Sequence, residues 1–312
     1  MTSQNGPKLT AAEVLGMQVE PLTMRTGAVI RGVDLSTDLD DDVIAKIRSV
    51  LLRHRVVFFR DQHIAAEHQL AFAARFGEIT AGHPTLSGDT GQPAILELDS
   101  LEGGRAAAWH TDNTFTDRPP AFSVLRSLII PPCGGDTVWA STVAAYEHLP
   151  EPLRLFADLL RVVHTNAPDP ASTVTYTDEA TRLHDEEFES TVFETEHPLV
   201  RVHSETGERS LMLGGFAQRI VGLGGGDSRK VINLLQDWVP TPENTVRWHW
   251  HQGDVAMWDN RATQHYAVND YGSIHRVVKR VTVAGSVPVG IDGRPSVALR
   301  GDASAYSVIG AQ

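Results

Sequence analysis

His110 and Asp112 stand one residue apart in AAAWHTDNTF, and both are side chains that bind metal ions. In an extended strand they project to the same face, where an imidazole and a carboxylate either grip a cation or form an ordinary polar pair. The chain has 14 histidines, so chance spacings are common and a lone histidine reads as structural by default. The downstream pattern shifts that balance. Thr137 follows in GGDTVW, His265 in WDNRATQHYAV, and Arg276 and Arg280 in HRVVKRVTVAG. On a strand Arg276, Val278 and Arg280 share a face, so both guanidinium groups can enter one cavity. Two histidines and a carboxylate suit iron in an oxygenase or zinc in a hydrolase, and spacing alone leaves both open.

Such a constellation needs a scaffold, and 312 residues are enough for a substantial core. Hydrophobic residues make up 41% and charged residues 21%, the balance of a globular protein in water. No apolar run approaches the roughly 18 residues of a membrane span. The start, MTSQNGPKLTAAEVLGMQVEP, has no basic stretch followed by an apolar one, so no secretion signal is read there. Cys133 is the single cysteine, which rules out an internal disulfide and fits a reducing, cytoplasmic setting. A net charge of −12 without a basic stripe argues against nucleic acid. It leaves room for a small anionic substrate, which needs only a local arginine.

The periodicities predict a strand at GAVIRGVDL, an amphipathic helix at DDDVIAKIRSVLLRH, a buried strand at RVVFFRDQ and a helix at AEHQLAFAARFG. Short strand candidates follow: AILEL, FSVLRSLII, TVWAS, PLVRVHS, RSLML, TVRWHWH, DVAMW and HRVVKRVTVAG. Helices are expected at 146–160 and 228–238, with GLGGGDS as a flexible turn before the second. The sum is a mainly β chain, an antiparallel sandwich or barrel with flanking helices. Residues 1–20 read as a loosely ordered leader, 21–300 as a single domain and 301–312 as a tail. The polar segment 165–190 reads as an insertion, either a surface excursion or a lid over the site. His249 and His251 in RWHWHQGD share a strand face and are read as structural.

The segments WHTDNTF, GGDTVWAS, RWHWHQGDVAMWDNRATQHYA and HRVVKRVTVAG resemble the taurine dioxygenase (TauD/TfdA) family of iron(II)- and 2-oxoglutarate-dependent dioxygenases. VVFFRDQ and FAARFGEI extend the resemblance over about residues 20 to 290. It implies a double-stranded β-helix core (jelly-roll, cupin-like), commonly assembled as a homo-oligomer, a dimer or tetramer. It implies Fe(II) on His110, Asp112 and His265, with 2-oxoglutarate and O2 as co-substrates. The far carboxylate of 2-oxoglutarate would meet Arg276 and the Thr137 hydroxyl, an anchor a zinc hydrolase does not need. Oxidative decarboxylation would give succinate and carbon dioxide while a hydrogen is removed from the substrate.

For the substrate, His83 in AGHPTL and Arg280 match family positions that meet a sulfonate or sulfate. Phe216 in GGFAQRI matches an aromatic lining the pocket. A tyrosine and an asparagine that recognise taurine's polar groups fall at Leu86 and Ala106, which suits a longer or more apolar tail. VVHTN and EHPLVRVHSETGERSL look closer to the alkyl-sulfate-cleaving dioxygenases. Asn113 stands where a valine is usual, and its amide can re-aim the substrate or bind another head group. The expected activity is hydroxylation of the carbon next to the sulfur-bearing group of an alkyl sulfate or sulfonate, releasing sulfate or sulfite plus aldehyde. The alternatives are the same chemistry on a carboxylate such as an aryloxyalkanoate, and a non-catalytic sensor of metal and 2-oxoglutarate.

Overall fold

The computed structural model describes residues 16–86, 91–103, 107–168 and 178–307. A seven-stranded sheet runs in the order Gln18–Pro21, Ala28–Arg31, Val56–Phe59, Val255–Asp259, Phe122–Ile129, Val277–Val283, Ile95–Asp99. Its neighbours are antiparallel except Ala28–Arg31 beside Val56–Phe59. A parallel pair needs a crossover, and here it is the helix Asp41–His54. Asp41 and Asp42 sit in that helix's first turn, Arg53 and His54 in its last, both complementing the helix dipole. It stops at Arg55, whose φ of 69° turns the chain back toward the sheet.

Side-chain alternation makes this sheet two-faced. Ala28, Ile30, Val57, Phe59, Val255 and Met257 pack under the helices Asp41–His54 and Ala66–Ala74. Their neighbours Val29, Val56, Phe58, Ala256 and Trp258 point the other way, into a second core. Burial on both faces explains why VVFF and VAMW read as unbroken apolar runs. Arg280 lies on the same face as Val278, so it points into this second core space.

Smaller sheets close that space. Thr245–Trp248, Thr137–Ser141 and Thr263–Ala267 form one, with His265 opposite Trp139. Arg161–Thr165, flanked by Ala217–Ile220 and Glu194–Pro198, belongs to another. The result is the expected jelly-roll with helices outside. Phe58 ties the facing sheets together, stacked 4.0 Å from Trp248 and edge-on to Trp139 at 5.3 Å.

Two helix expectations are corrected. The predicted 146–160 helix is two, Thr142–His148 and Glu151–Asp158, because Pro150 forces Leu149 into an extended conformation. The helix expected at 228–238 spans Gly225–Gln236, so two glycines of GLGGGDS are helical. Ser228 is inside it, its Oγ accepting the Ile220 N–H at 3.0 Å.

Replacing Phe58 by alanine should remove about 3–5 kcal/mol of stability, read from urea unfolding. A loss below about 1 kcal/mol would show that the sheets are not held through this ring.

Candidate functional site

The HTD segment is not the strand that spacing suggested. His110 alone is strand-like: its N–H donates to the His265 carbonyl at 3.0 Å, and its carbonyl accepts the His265 N–H at 2.8 Å. The chain then turns, with Asn113 at a φ of 52°. Asn260 holds the turn. Its Oδ1 accepts the Asp112 N–H at 2.9 Å, and its Nδ2 donates to the carbonyls of Asp112 and Pro120, each at 3.1 Å. The Thr111 hydroxyl donates to the Thr263 carbonyl at 2.7 Å. His164 and His197, which the sequence did not single out, grip the next residue. His164 Nδ1 is 2.8 Å from the Thr114 hydroxyl, and His197 Nε2 donates to the Thr114 carbonyl at 2.6 Å. Convergence at Asp112 therefore comes from tertiary contacts, not from strand alternation.

Asp112 Oδ1 lies 3.8 Å from His110 Nε2 and 3.7 Å from His265 Nε2. Among the described residues these three are the group of side chains placed to share a metal ion, with donor atoms within 4.8 Å of one another. The Asp112 Oδ2 accepts the Ser123 hydroxyl at 2.8 Å, while Oδ1 accepts from an Arg280 guanidinium nitrogen. Burial raises the Asp112 pKa, but Arg280 and then the two imidazoles outweigh it and hold the carboxyl at about 2. Burial lowers the pKa of His110, and that of His265 to about 3. The His110 Nδ1–H donates to the Ala108 carbonyl at 2.8 Å, which leaves its Nε2 lone pair facing Asp112. Two neutral imidazoles and one ionised carboxylate are a fitting donor set for a divalent transition metal.

These residues open onto a cavity of about 830 Å³ that also takes in Thr137, Arg276, Arg280, His83, Leu86, Asn113 and Phe216. The structure thus brings together every candidate site residue named in the sequence except Ala106, which lies outside the described residues. Arg276 is buried. Its Nε donates to the Gly135 carbonyl at 3.0 Å, and its backbone N–H to Ser100 Oγ at 2.9 Å. Gly135 has a φ of 70°, and a Cβ there would meet Arg276 Cδ at 3.1 Å, which accounts for glycine in GGDTVW. Thr137 Oγ1 accepts the Trp250 indole N–H at 2.9 Å, so its proton is free to point elsewhere.

At the other end, His83 Nδ1 accepts the N–H groups of Thr85 and Leu86 at 3.2 and 3.1 Å, which places its proton on Nε2. Burial, with Arg280 adding to it, holds His83 well below the usual imidazole pKa. Asn113 hydrogen-bonds with His83 and donates from Nδ2 to the Tyr306 hydroxyl at 2.7 Å. Tyr306 was missed. It lies in the stretch expected as a tail, on the turn Ser304–Ser307, and is buried. Arg280 Nε is buried with no hydrogen-bond partner. Phe115, Phe188, Phe193 and Phe216 pack as an aromatic cluster beside His110.

Phe188 ends the helix Glu179–Phe188, which lies in the segment expected as an insertion and contributes His184 and Asp185 to the cavity wall. A signal for it was present: Asp178 caps its start by accepting the Thr181 N–H at 2.8 Å. Residues 169–177 of the same segment lie outside the described residues. His249 and His251, read as structural, sit outside the cavity; His249 is bonded to Asp136 at 2.8 Å and His251 to Arg60 at 2.8 Å.

Comparison with known proteins now has geometry to rest on. Residues 18–282 match the family described as "Taurine catabolism dioxygenase TauD, TfdA family". This chain belongs to the TauD/TfdA family. It is 51% identical over 298 residues to an alpha-ketoglutarate-dependent sulfate ester dioxygenase of Pseudomonas putida, covering 95% of this chain and 99% of that one. It is also 51% identical over 281 residues to an alkylsulfatase of Acinetobacter baylyi, covering 89% and 88%. Among solved structures, a taurine dioxygenase from Burkholderia xenovorans superposes with a TM-score of 0.79 at 42% identity, covering 93% of this chain and 97% of that one. With that family and these relatives, the chain is an alpha-ketoglutarate-dependent dioxygenase.

His83, His110, His164, His197 and His265 all titrate below free imidazole, burial being the largest cause at each. The unfolded chain takes up protons near pH 6.5 that the folded chain refuses, so stability is full above that pH and falls below it. The unfolding free energy of the metal-free protein, from urea titrations, should drop steadily from pH 7.5 to 5, by up to about 1.4 kcal/mol per pH unit for each histidine kept neutral. A flat profile over that range would mean these imidazoles accept protons in the folded state.

Proposed function

We propose that the chain is an iron(II)- and 2-oxoglutarate-dependent dioxygenase that hydroxylates the carbon bearing the sulfur group of an alkyl sulfate ester, with alkanesulfonates as the related class. One observation carries the reading: a three-donor metal set and two arginines with different partners share one cavity. His110, Asp112 and His265 would hold iron, which supplies the redox partner through which 2-oxoglutarate reduces dioxygen. Arg276 holds the far carboxylate of 2-oxoglutarate, its side chain braced by the Gly135 carbonyl. Thr137 donates its hydroxyl proton to the same carboxylate, because its oxygen already accepts from Trp250.

Arg280, which lines the cavity, offers its guanidinium to the sulfate, and the His83 Nε2–H is shared between sulfate and Asn113. Leu86, Leu98, Phe188 and Phe216 line the cavity and shed water from an alkyl tail. One oxygen atom of O2 enters the substrate as RCH(OH)–OSO3⁻, and the other enters succinate as 2-oxoglutarate loses carbon dioxide. The carbon–oxygen bond to sulfate then breaks, the hydroxyl proton leaves, and aldehyde and hydrogen sulfate result. Support for a sulfate head group comes from the two relatives named for sulfate esters and alkyl sulfates.

With iron(II), 2-oxoglutarate and a series of alkyl sulfates, succinate and sulfate should appear in equal amounts. Arg276→Gln should raise the KM for 2-oxoglutarate at least about tenfold, roughly 1.4 kcal/mol, with a smaller effect on the alkyl sulfate. Arg280→Gln should do the reverse. Turnover of aryloxyalkanoates alone, or zinc-dependent hydrolysis without succinate, contradicts the proposal.

A further inference from the structure

We infer that Arg280 couples the two halves of the cavity: it is a positioning residue through which binding of the substrate's anionic group tightens binding of the metal. The inference rests on the reading of Arg280 as the anion's partner. Its physical basis is the oxygen that Arg280 engages. Asp112 Oδ2 is occupied by Ser123, and Oδ1 is both the atom nearest the two imidazole Nε2 atoms and the acceptor of the Arg280 N–H. A cation seated between those imidazoles and Asp112 therefore meets an oxygen already facing a positive charge.

The charges around Arg280 sharpen the point. Asp112, His83, His110, His265 and Tyr306 all interact with it electrostatically, and Asp112 alone carries charge in its ordinary state. Asp112 and Arg280 balance each other. A divalent cation added to this buried group leaves positive charge uncompensated, which is costly away from water. An anion in the cavity that Arg280 lines, held by its guanidinium, offsets it without touching the metal ligands. It draws the guanidinium charge away from Oδ1 and leaves the carboxylate more available to the cation. Linkage makes the effect mutual: the metal tightens the anion by the same factor.

The test needs no turnover. Manganese(II) binding to the metal-free protein is titrated without 2-oxoglutarate, with and without octyl sulfate, at matched ionic strength. Octyl sulfate binding to the metal-free protein is measured separately. Octyl sulfate should tighten manganese binding at least about fivefold, within the usual range of such couplings. Arg280→Gln should bind manganese more tightly than the parent protein when no anion is present, and octyl sulfate should then change its affinity less than twofold. Should that variant not fold by circular dichroism, Arg280→Lys is used, whose single ammonium cannot span both partners; its coupling should also shrink. Octyl sulfate that depends on Arg280 for binding, yet leaves manganese affinity unchanged, overturns the coupling alone. Octyl sulfate that binds Arg280→Gln as well as the parent removes Arg280 as the anion's partner, and the coupling falls with it.

Discussion

The paired backbone bonds between His110 and His265 are the constraint on which the site depends. They join the loop after Ala108 to the strand Thr263–Ala267, and so set two imidazoles side by side with ring centres 4.1 Å apart. Asn260 does the same for Asp112 across a chain separation of 148 residues. Closing loops of that length costs chain entropy that local interactions cannot repay. The buried aromatic layer of Phe58, Trp139, Trp248 and Trp258 supplies the burial that offsets it. Site and core are therefore one construction: His265 sits in register with Trp139 and against the Trp258 ring.

Electrostatics follow from that burial. An interior that holds five imidazoles neutral also keeps one carboxylate ionised, because Arg280 stands beside it. The two arginines are not equivalent. Arg276 is braced by backbone at the end of a glycine turn, a fixed post for a planar carboxylate. Arg280 is bonded to Asp112, so an anion on it would be felt by a metal held there. Arg280 on the strand Val277–Val283 and Arg276 immediately before it both line the same cavity.

Much of this was legible in the sequence, for identifiable reasons. Helix Asp41–His54 carries its period and its terminal charges in the chain itself, and VVFF and VAMW announce strands buried on both faces. The residue types His110, Asp112, Thr137, His265, Arg276 and Arg280 suggested a metal and an anion in one cavity, and the resemblance of the segments around them pointed to the dioxygenase chemistry. What stayed hidden depends on partners far along the chain. Strand alternation gave a plausible but incorrect reason for His110 and Asp112 to converge, since Asn260, Thr263 and His197 do that work. Tyr306 has no local signature; only the fold carries it to Asn113. The helix Glu179–Phe188 buries none of its residues fully, so its apolar period is faint and its cap was the better clue.

The most direct test of the central claim is the fate of isotopic oxygen when an alkyl sulfate is turned over under ¹⁸O2 with iron(II) and 2-oxoglutarate. The account predicts one labelled atom in succinate, one in the aldehyde when it is trapped by immediate reduction, and none in the released sulfate. An alcohol as the primary organic product, with unlabelled succinate or no succinate at all, would contradict it.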